Sequence, residues 1–193
     1  MEELSLKEFL NLGKKDLKGK VVVFPTDTVY GIGALIDDYE GIKKIFDIKQ
    51  RPYDRPLANL CFSIDQVKQY VLKIPKSVRE ILEEDWPGAL TVIFLKKPDL
   101  ELPFNKDTVS FRMPLSIVAL KLLRHFGPLA TTSINLHGSK ELNTLNDIKE
   151  VFGSQIDYLI TDKEIFSSVP STVIDVTGET IKVVREGQIK IRA

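Results

Sequence analysis

Cysteine and histidine are nearly missing from this sequence, and so is any excess of charge. Cys61 is the only cysteine. That excludes a disulfide within the chain, CxxC redox chemistry and cysteine-rich zinc sites. It sits in the apolar run Asn59-Leu-Cys-Phe62, where a small buried hydrophobe is the expected role. His125 and His137 are the only histidines, and neither has the partners of a Ser-His-Asp triad or a zinc site. His125 falls in the last turn of an expected helix, where its charge favours the dipole, and His137 falls in a polar loop. The 27 basic and 27 acidic residues cancel. No global field points to nucleic acid or membrane, so any anion site must be built from a few focused cations. No apolar run approaches the roughly 20 residues of a membrane span. The polar start Met1-Glu-Glu-Leu-Ser-Leu-Lys7 lacks the features of a signal peptide, so a cytoplasmic location is expected. Gly31-Ile-Gly33 continues as Ala-Leu-Ile36, which fails the dinucleotide fingerprint, and no GxxxxGK[ST] loop occurs.

What remains is an even alternation of turn signals and apolar runs, without repeat or linker, which predicts one domain over 1–193. Ser5 as N-cap with Glu8 three residues on predicts a helix that runs to Lys18. Lys20 to Phe24 reads as a buried strand stopped by Pro25, and Thr28 to Ile36 as extended chain. The spacing predicts a helix over Tyr39–Gln50 that Pro52 bars from continuing. Further strands are expected at Leu57–Phe62, Leu90–Leu95, Thr108–Arg112, Leu129–Ile134, Tyr158–Thr161, Thr172–Val176 and Ile181–Val184. Helices are expected at Ile64–Leu72, Lys76–Glu84, Leu115–Phe126 and Asn146–Phe152. Helices and strands interleave early and strands cluster late. The expected fold class is α/β, an open twisted mixed sheet flanked by helices.

Four polar segments sit at strand ends, where α/β folds place ligands. Phe24-Pro-Thr-Asp-Thr-Val-Tyr-Gly-Ile-Gly33 crowds hydroxyls and a carboxylate behind a buried strand. It reads either as an ordinary Ser/Thr turn or as part of a site. Lys49-Gln-Arg-Pro-Tyr-Asp-Arg-Pro56 gathers three cations at a helix end. Lys49 and Arg51 suit the helix dipole, and all three suit a triphosphate, because guanidinium forks grip phosphate oxygens. Thr108, Ser110 and Arg112 share one strand face, either solvated or the wall of a site that holds a carboxylate. Ala130-Thr-Thr-Ser-Ile-Asn-Leu-His-Gly138 and Ser171-Thr-Val-Ile-Asp-Val-Thr-Gly178 pair small hydroxyl residues with strands.

Taken in order, FPTDTVYGIGA, KQRP, DRPL, DWPGALTVIF, VSFRMP, TTSIN, STVIDVTG and VVREGQI resemble the YrdC-like threonylcarbamoyl-AMP synthases over about Val21 to Ile189. The KxR and SxN motifs of that family stand here as Lys49-Gln50-Arg51 and Ser133-Ile134-Asn135. PTDT replaces the commoner PTET, and Leu60 stands where some members carry a histidine. The resemblance implies a YrdC-like fold with a concave site, in the short single-domain form. It implies use of ATP, L-threonine and bicarbonate to make threonylcarbamoyl-AMP for a tRNA modification. Thr28, Arg112, Ser133 and Ser171 would then hold threonine. Lys49, Arg51, Arg55, Thr108, Asn135, Asn143 and Arg185 would hold the nucleotide, with Lys49 and Arg51 catalytic. Mg²⁺ would enter on the ATP phosphates, without a dedicated protein ligand. Candidate downstream partners are tRNA or transferase-complex proteins, and no membrane is implied. Two other readings share the fold: an RNA-binding module without catalysis, and a carbamoyl-adenylate-forming domain of the hydrogenase-maturation type. Zero net charge opposes the first, and the lack of zinc-finger motifs opposes the second.

Overall fold

The computed structural model describes residues 1–136, 142–164, 167 and 169–191. Among them, ten strands form one mixed sheet. In chain order these are β1 (Glu2–Leu4), β2 (Val22–Phe24), β3 (Gly31–Leu35), β4 (Ala58–Leu60), β5 (Leu90–Leu95), β6 (Thr108–Arg112), β7 (Leu129–Ser133), β8 (Tyr158–Ile160), β9 (Thr172–Asp175) and β10 (Lys182–Arg185). Across the sheet the order is β1-β8-β2-β3-β7-β4-β6-β5-β9-β10. Parallel pairs (β1 with β8, β2 with β8, β4 with β6, β5 with β9) mix with antiparallel ones, as the interleaved elements predicted. The helices are α1 (Leu6–Phe9), α2 (Tyr39–Lys49), α3 (Ile64–Lys68), α4 (Lys76–Asp85), α5 (Ile117–Phe126) and α6 (Leu145–Phe152).

The two-residue side-chain period decides what each face meets. Val23 of β2 and Val21 just before it join Ile42, Ile45 and Phe46 of α2 and Ile148 and Phe152 of α6. Val22 and Phe24 join Phe9 of α1 and Val118, Leu122 and Phe126 of α5 on the other face. On the far half, Val92 and Phe94 of β5 and Val109 and Phe111 of β6 pack on Val67 of α3 and Val78 and Leu82 of α4. One sheet face is therefore covered by helices over its inner strands. The face shared with α1 and α5 reaches Leu60 of β4 and continues over β6, β5 and β9 without a helix on it among the described residues. Leu60 pairs with Arg112, and Ile93 with Ser110, so the hydroxyl and guanidinium row of β6 lies on that uncovered half.

Two elements differ from the sequence expectation. The helix predicted from Ser5 to Lys18 ends at Phe9, although the capping box of Ser5 and Glu8 forms as expected. Gly13 adopts extended backbone and the chain resumes as a 3-10 turn, Lys14–Leu17. This break lets Leu6, Phe9 and Leu17 all reach one core cluster. The acidic start, read only as polar, is strand β1, zipped in parallel to β8 with Glu2 opposite Tyr158. Its formation depends on a partner far along the chain.

Asp157 fastens this edge. Its carboxylate accepts from the Val21 amide at 2.8 Å and from Lys44 of α2 at 2.7 Å, with Lys20 at 3.6 Å. Desolvation acts to raise its pKa, but the Lys44 hydrogen bond, the Val21 amide and the two lysine charges outweigh it and hold the pKa below the ordinary carboxylate value. A depressed folded pKa means the stabilisation is present above the unfolded value of about 3.9 and is lost as pH falls through the folded one. Asp157→Asn is expected to cost about 1–3 kcal/mol near neutral pH, as charge-assisted bonds do. Urea midpoints should show the gap between wild type and variant closing below about pH 4. A gap that ignores pH would show that charge at Asp157 contributes nothing.

Candidate functional site

The uncovered half of the sheet forms a cleft of about 420 Å³. That volume lies within the usual range of small-molecule sites. Thr108, Ser110 and Arg112 run along its floor on β6, flanked by Thr91 and Ile93 of β5 and by Ala58 and Leu60 of β4, with Thr131 and Ser133 of β7 one strand farther on. From Thr108 to Arg112 the floor extends about 13 Å, four strand steps. Gly31 also lines it, and a Cβ there would lie 2.9 Å from Thr131 Cγ2, so the floor needs glycine at that point. Among the described residues, no His, Asp or Glu lines the cleft.

At one end Arg112 is 7 % exposed and held on three sides. Its Nε donates to Gly88 O at 3.2 Å, Nη1 donates to Thr28 Oγ1 at 3.1 Å, and Nη2 pairs with the Asp27 carboxylate. The Thr26–Val29 turn that presents these partners is closed by Thr26 Oγ1, which donates to Val29 O at 2.6 Å and accepts from the Thr28 amide at 3.2 Å. The segment forms a Ser/Thr turn, and that turn also orients the arginine. Beside it Arg185 grips Ser171, donating to its carbonyl at 2.8 and 3.1 Å and to its hydroxyl at 3.1 Å. That hydroxyl lies 2.9 Å from Thr91 Oγ1. The segment after Arg185 crosses residues 170–172 so closely that a Cβ on Gly187 would lie 2.4 Å from Pro170 O.

At the other end Arg51 enters from the end of α2. Gln50 takes the left-handed conformation as C-cap, at φ 51°, which turns the chain off the helix. Arg51 Nε then donates to Arg55 O at 3.0 Å, and its guanidinium lines the cleft. Burial first, and the charge of Arg55 second, lower the Arg51 pKa. Burial and then Arg112 do the same to Arg185. Guanidinium groups stay protonated at neutral pH, so Arg51 and the more exposed Arg185 bring positive charge to the cleft at some desolvation cost. An anion relieves it.

Of the residues singled out from sequence, Arg51, Thr108, Arg112, Ser133, Ser171 and Arg185 line the cleft together. Thr28 is buried directly behind Arg112. Lys49 lies 2 % exposed beneath the floor. Its ammonium donates to Ser133 O at 2.5 Å, Asn135 O at 2.6 Å and Asn135 Oδ1 at 2.7 Å. Lys49 and Asn135 are therefore placed as the frame of the Ser133–Asn135 turn, and Ser133 Oγ adds a bond to Asn135 Oδ1 at 2.7 Å. Arg55 and Asn143 are exposed and not among the lining residues. His137 lies outside the described residues. His125 is distant from the site and meets Leu12 O at 3.0 Å. Cys61 is fully buried, and burial pushes its thiol far above the usual range, in keeping with a packing role. Sequence reading missed Asp27 as the Arg112 partner, Thr91 and Asn105. Thr91 was visible as a polar residue on the cleft-facing alternation of β5, whereas nothing in the sequence marks Asn105.

Fold and site together define a mixed-sheet α/β protein with an arginine-rich cleft on an uncovered part of its sheet. The Sua5/YciO/YrdC family, described as telomere recombination, matches residues 17–187. The chain belongs to this family. It is 34 % identical over 177 residues to the threonylcarbamoyl-AMP synthase of Pyrococcus abyssi, covering 90 % of this chain and 52 % of that protein. The chain thus spans about half the length of that relative. The structure of P. abyssi Sua5 complexed with L-threonine superposes with a TM-score of 0.84 at 33 % identity, over 94 % of this chain and 54 % of that one. Escherichia coli YciO superposes with a TM-score of 0.80 at 28 % identity, over 94 % and 88 %.

Proposed function

We propose that the chain is an L-threonylcarbamoyladenylate synthase, a nucleotidyltransferase acting in the cytoplasm on ATP, L-threonine and bicarbonate to supply tRNA threonylcarbamoylation. The observation that carries this reading is a cleft with guanidinium groups at both ends, hydroxyls between them and, among the described residues, no lining carboxylate or histidine. Such a site suits two anionic substrates bound end to end and a reaction that brings its own nucleophile. The threonine-bound Sua5 neighbour supports placing an amino acid there.

Threonine amine and bicarbonate condense to a carbamate with loss of water. A carbamate oxygen then bonds to the α-phosphorus of ATP, while the bond from that phosphorus to the bridging oxygen breaks and its electron pair leaves with pyrophosphate. The nucleophile is already anionic, so positioning and charge stabilisation suffice. Arg112, backed by Asp27 and Thr28, holds the threonine carboxylate with Ser171 beside it, and Ser133 offers its hydroxyl from farther along the floor. Arg51 and Arg185 face the charge that develops on the transferred phosphoryl group, and Thr108 lies along the nucleotide. Lys49 and Asn135 fix the turn that presents Ser133. Mg²⁺ would be held through the ATP phosphates and would add charge stabilisation there to that of Arg51 and Arg185; among the described residues no carboxylate lines the cleft.

Pyrophosphate release from ATP should depend on both threonine and bicarbonate, and AMP-linked threonylcarbamate should appear by mass spectrometry. Release indifferent to threonine at saturating ATP and bicarbonate sinks the reading. It would leave the RNA-binding or carbamoyl-adenylate alternatives.

A further inference from the structure

The loop between β5 and β6 closes the Thr108 end of the cleft, and its conformation is unusual. Lys96 N bonds Asp107 O at 2.8 Å at its base, and Asn105 N bonds Leu102 O at 3.2 Å at its tip. Between them Phe104 adopts φ 59°. A bulky aromatic in the left-handed region is a genuine outlier that persists only where its surroundings impose it. The surroundings here are aromatic. The Phe104 ring stacks on Tyr39 at 5.2 Å and 16° and on Tyr53 at 5.5 Å and 14°, and it tilts against Phe46 at 4.9 Å. Tyr53 is tied in turn to Asp47 of α2 through its hydroxyl. The loop is clamped to α2 and to the segment that carries Arg51.

The result of that backbone turn is that Phe104 packs on α2 while its neighbour Asn105 lines the cleft. Asn105 Nδ2 donates to Pro103 O at 3.0 Å, which fixes the plane and orientation of the amide. Its Oδ1 and second N–H have no partner among the described residues. A locked carboxamide thus presents one acceptor and one donor side by side. Pro56, Leu57 and Ile93 supply apolar surface in the same cleft for the plane of a ring.

Resting on the reading that this cleft binds a nucleoside triphosphate, we propose that Asn105 reads the edge of the purine and selects adenine. Adenine offers an amino donor beside a ring-nitrogen acceptor, the complement of this amide, whereas hypoxanthine and guanine place a carbonyl where the donor should be.

The test measures Kd for ATP and for inosine triphosphate by calorimetry on wild type, Asn105→Ala and the near-isosteric Asn105→Leu, with melting temperatures recorded. The wild type should prefer ATP by about 10- to 100-fold, the range of a paired amide–purine contact. Both variants should lose that preference by weakening ATP alone, with inosine triphosphate and threonine each bound within about twofold of wild type. A wild type indifferent to the two nucleotides, or variants that retain its preference, overturns the assignment. Threonine-dependent pyrophosphate release by the same wild-type preparation reports separately on the functional reading.

Discussion

Replacing Arg112 by lysine is expected to raise KM for threonine by about 10- to 100-fold while KM for ATP stays within about twofold. The guanidinium has five N–H donors. Three are committed, to Gly88 O, Thr28 Oγ1 and the Asp27 carboxylate. The two that remain belong to a group fixed in plane and lining the cleft, which suits a carboxylate gripped by two parallel bonds. Lysine keeps the charge but concentrates its donors at one point, so it cannot serve Asp27, Thr28 and a ligand together. Asp27, only 12 % exposed at its side chain, would then compete with the substrate carboxylate for the single ammonium. Serine tests the same end of the site. It lacks one methyl, so its kcat/KM should fall by about 10- to 200-fold. Steady-state kinetics with each substrate varied in turn decide the matter. Equal effects on ATP and threonine would place Arg112 against the nucleotide.

Much of this arrangement was legible in the sequence, and the legible part has a common cause. The alternation in Thr108-Val-Ser-Phe-Arg112 put two hydroxyls and a guanidinium on one face because strand geometry is local, and the structure places that row on the cleft floor. Pro52, with its preceding residues, marked the end of α2 for the same local reason, although the left-handed Gln50 that redirects Arg51 was not marked. What could not be read depends on distant parts of the chain. Asp27 meets Arg112 only because the sheet brings them together across 85 positions. Lys49 looked like a free helix-end cation, yet a strand turn 86 positions away supplies Asn135 as its partner. Asn105 sits in a loop with no motif, and its orientation follows from a stack that includes Tyr39 and Tyr53 on other elements. The predicted Ser5–Lys18 helix failed in the same way, since local capping was right and the core's demand for Leu17 ended the helix early.

Arg51→Ala should lower turnover by about 10²-fold or more, the usual cost of removing a fixed donor aimed at developing charge. The side chain lines the cleft at the end opposite Arg112, and its charge is held there by carbonyls rather than by a carboxylate. Bonds from Nε to Arg55 O at 3.0 Å and from Nη2 to Pro56 O at 3.4 Å orient the group without neutralising it. Burial and Arg55 make that charge costly, which is the arrangement expected of a group that pairs with an arriving or developing anion. The effect should therefore fall on kcat and on KM for ATP, and should spare KM for threonine. Stability should change little, because a helix-end cation contributes only about 0.3–1 kcal/mol through the dipole. For a chain of this length that corresponds to a melting shift of no more than about 4 °C. Arg51→Lys should recover part of the loss, since a point charge replaces a fork. Single-turnover pyrophosphate release and a thermal scan on the two variants read both quantities. Normal turnover with a collapsed melting temperature would assign Arg51 to the end of α2 alone and remove it from the chemistry.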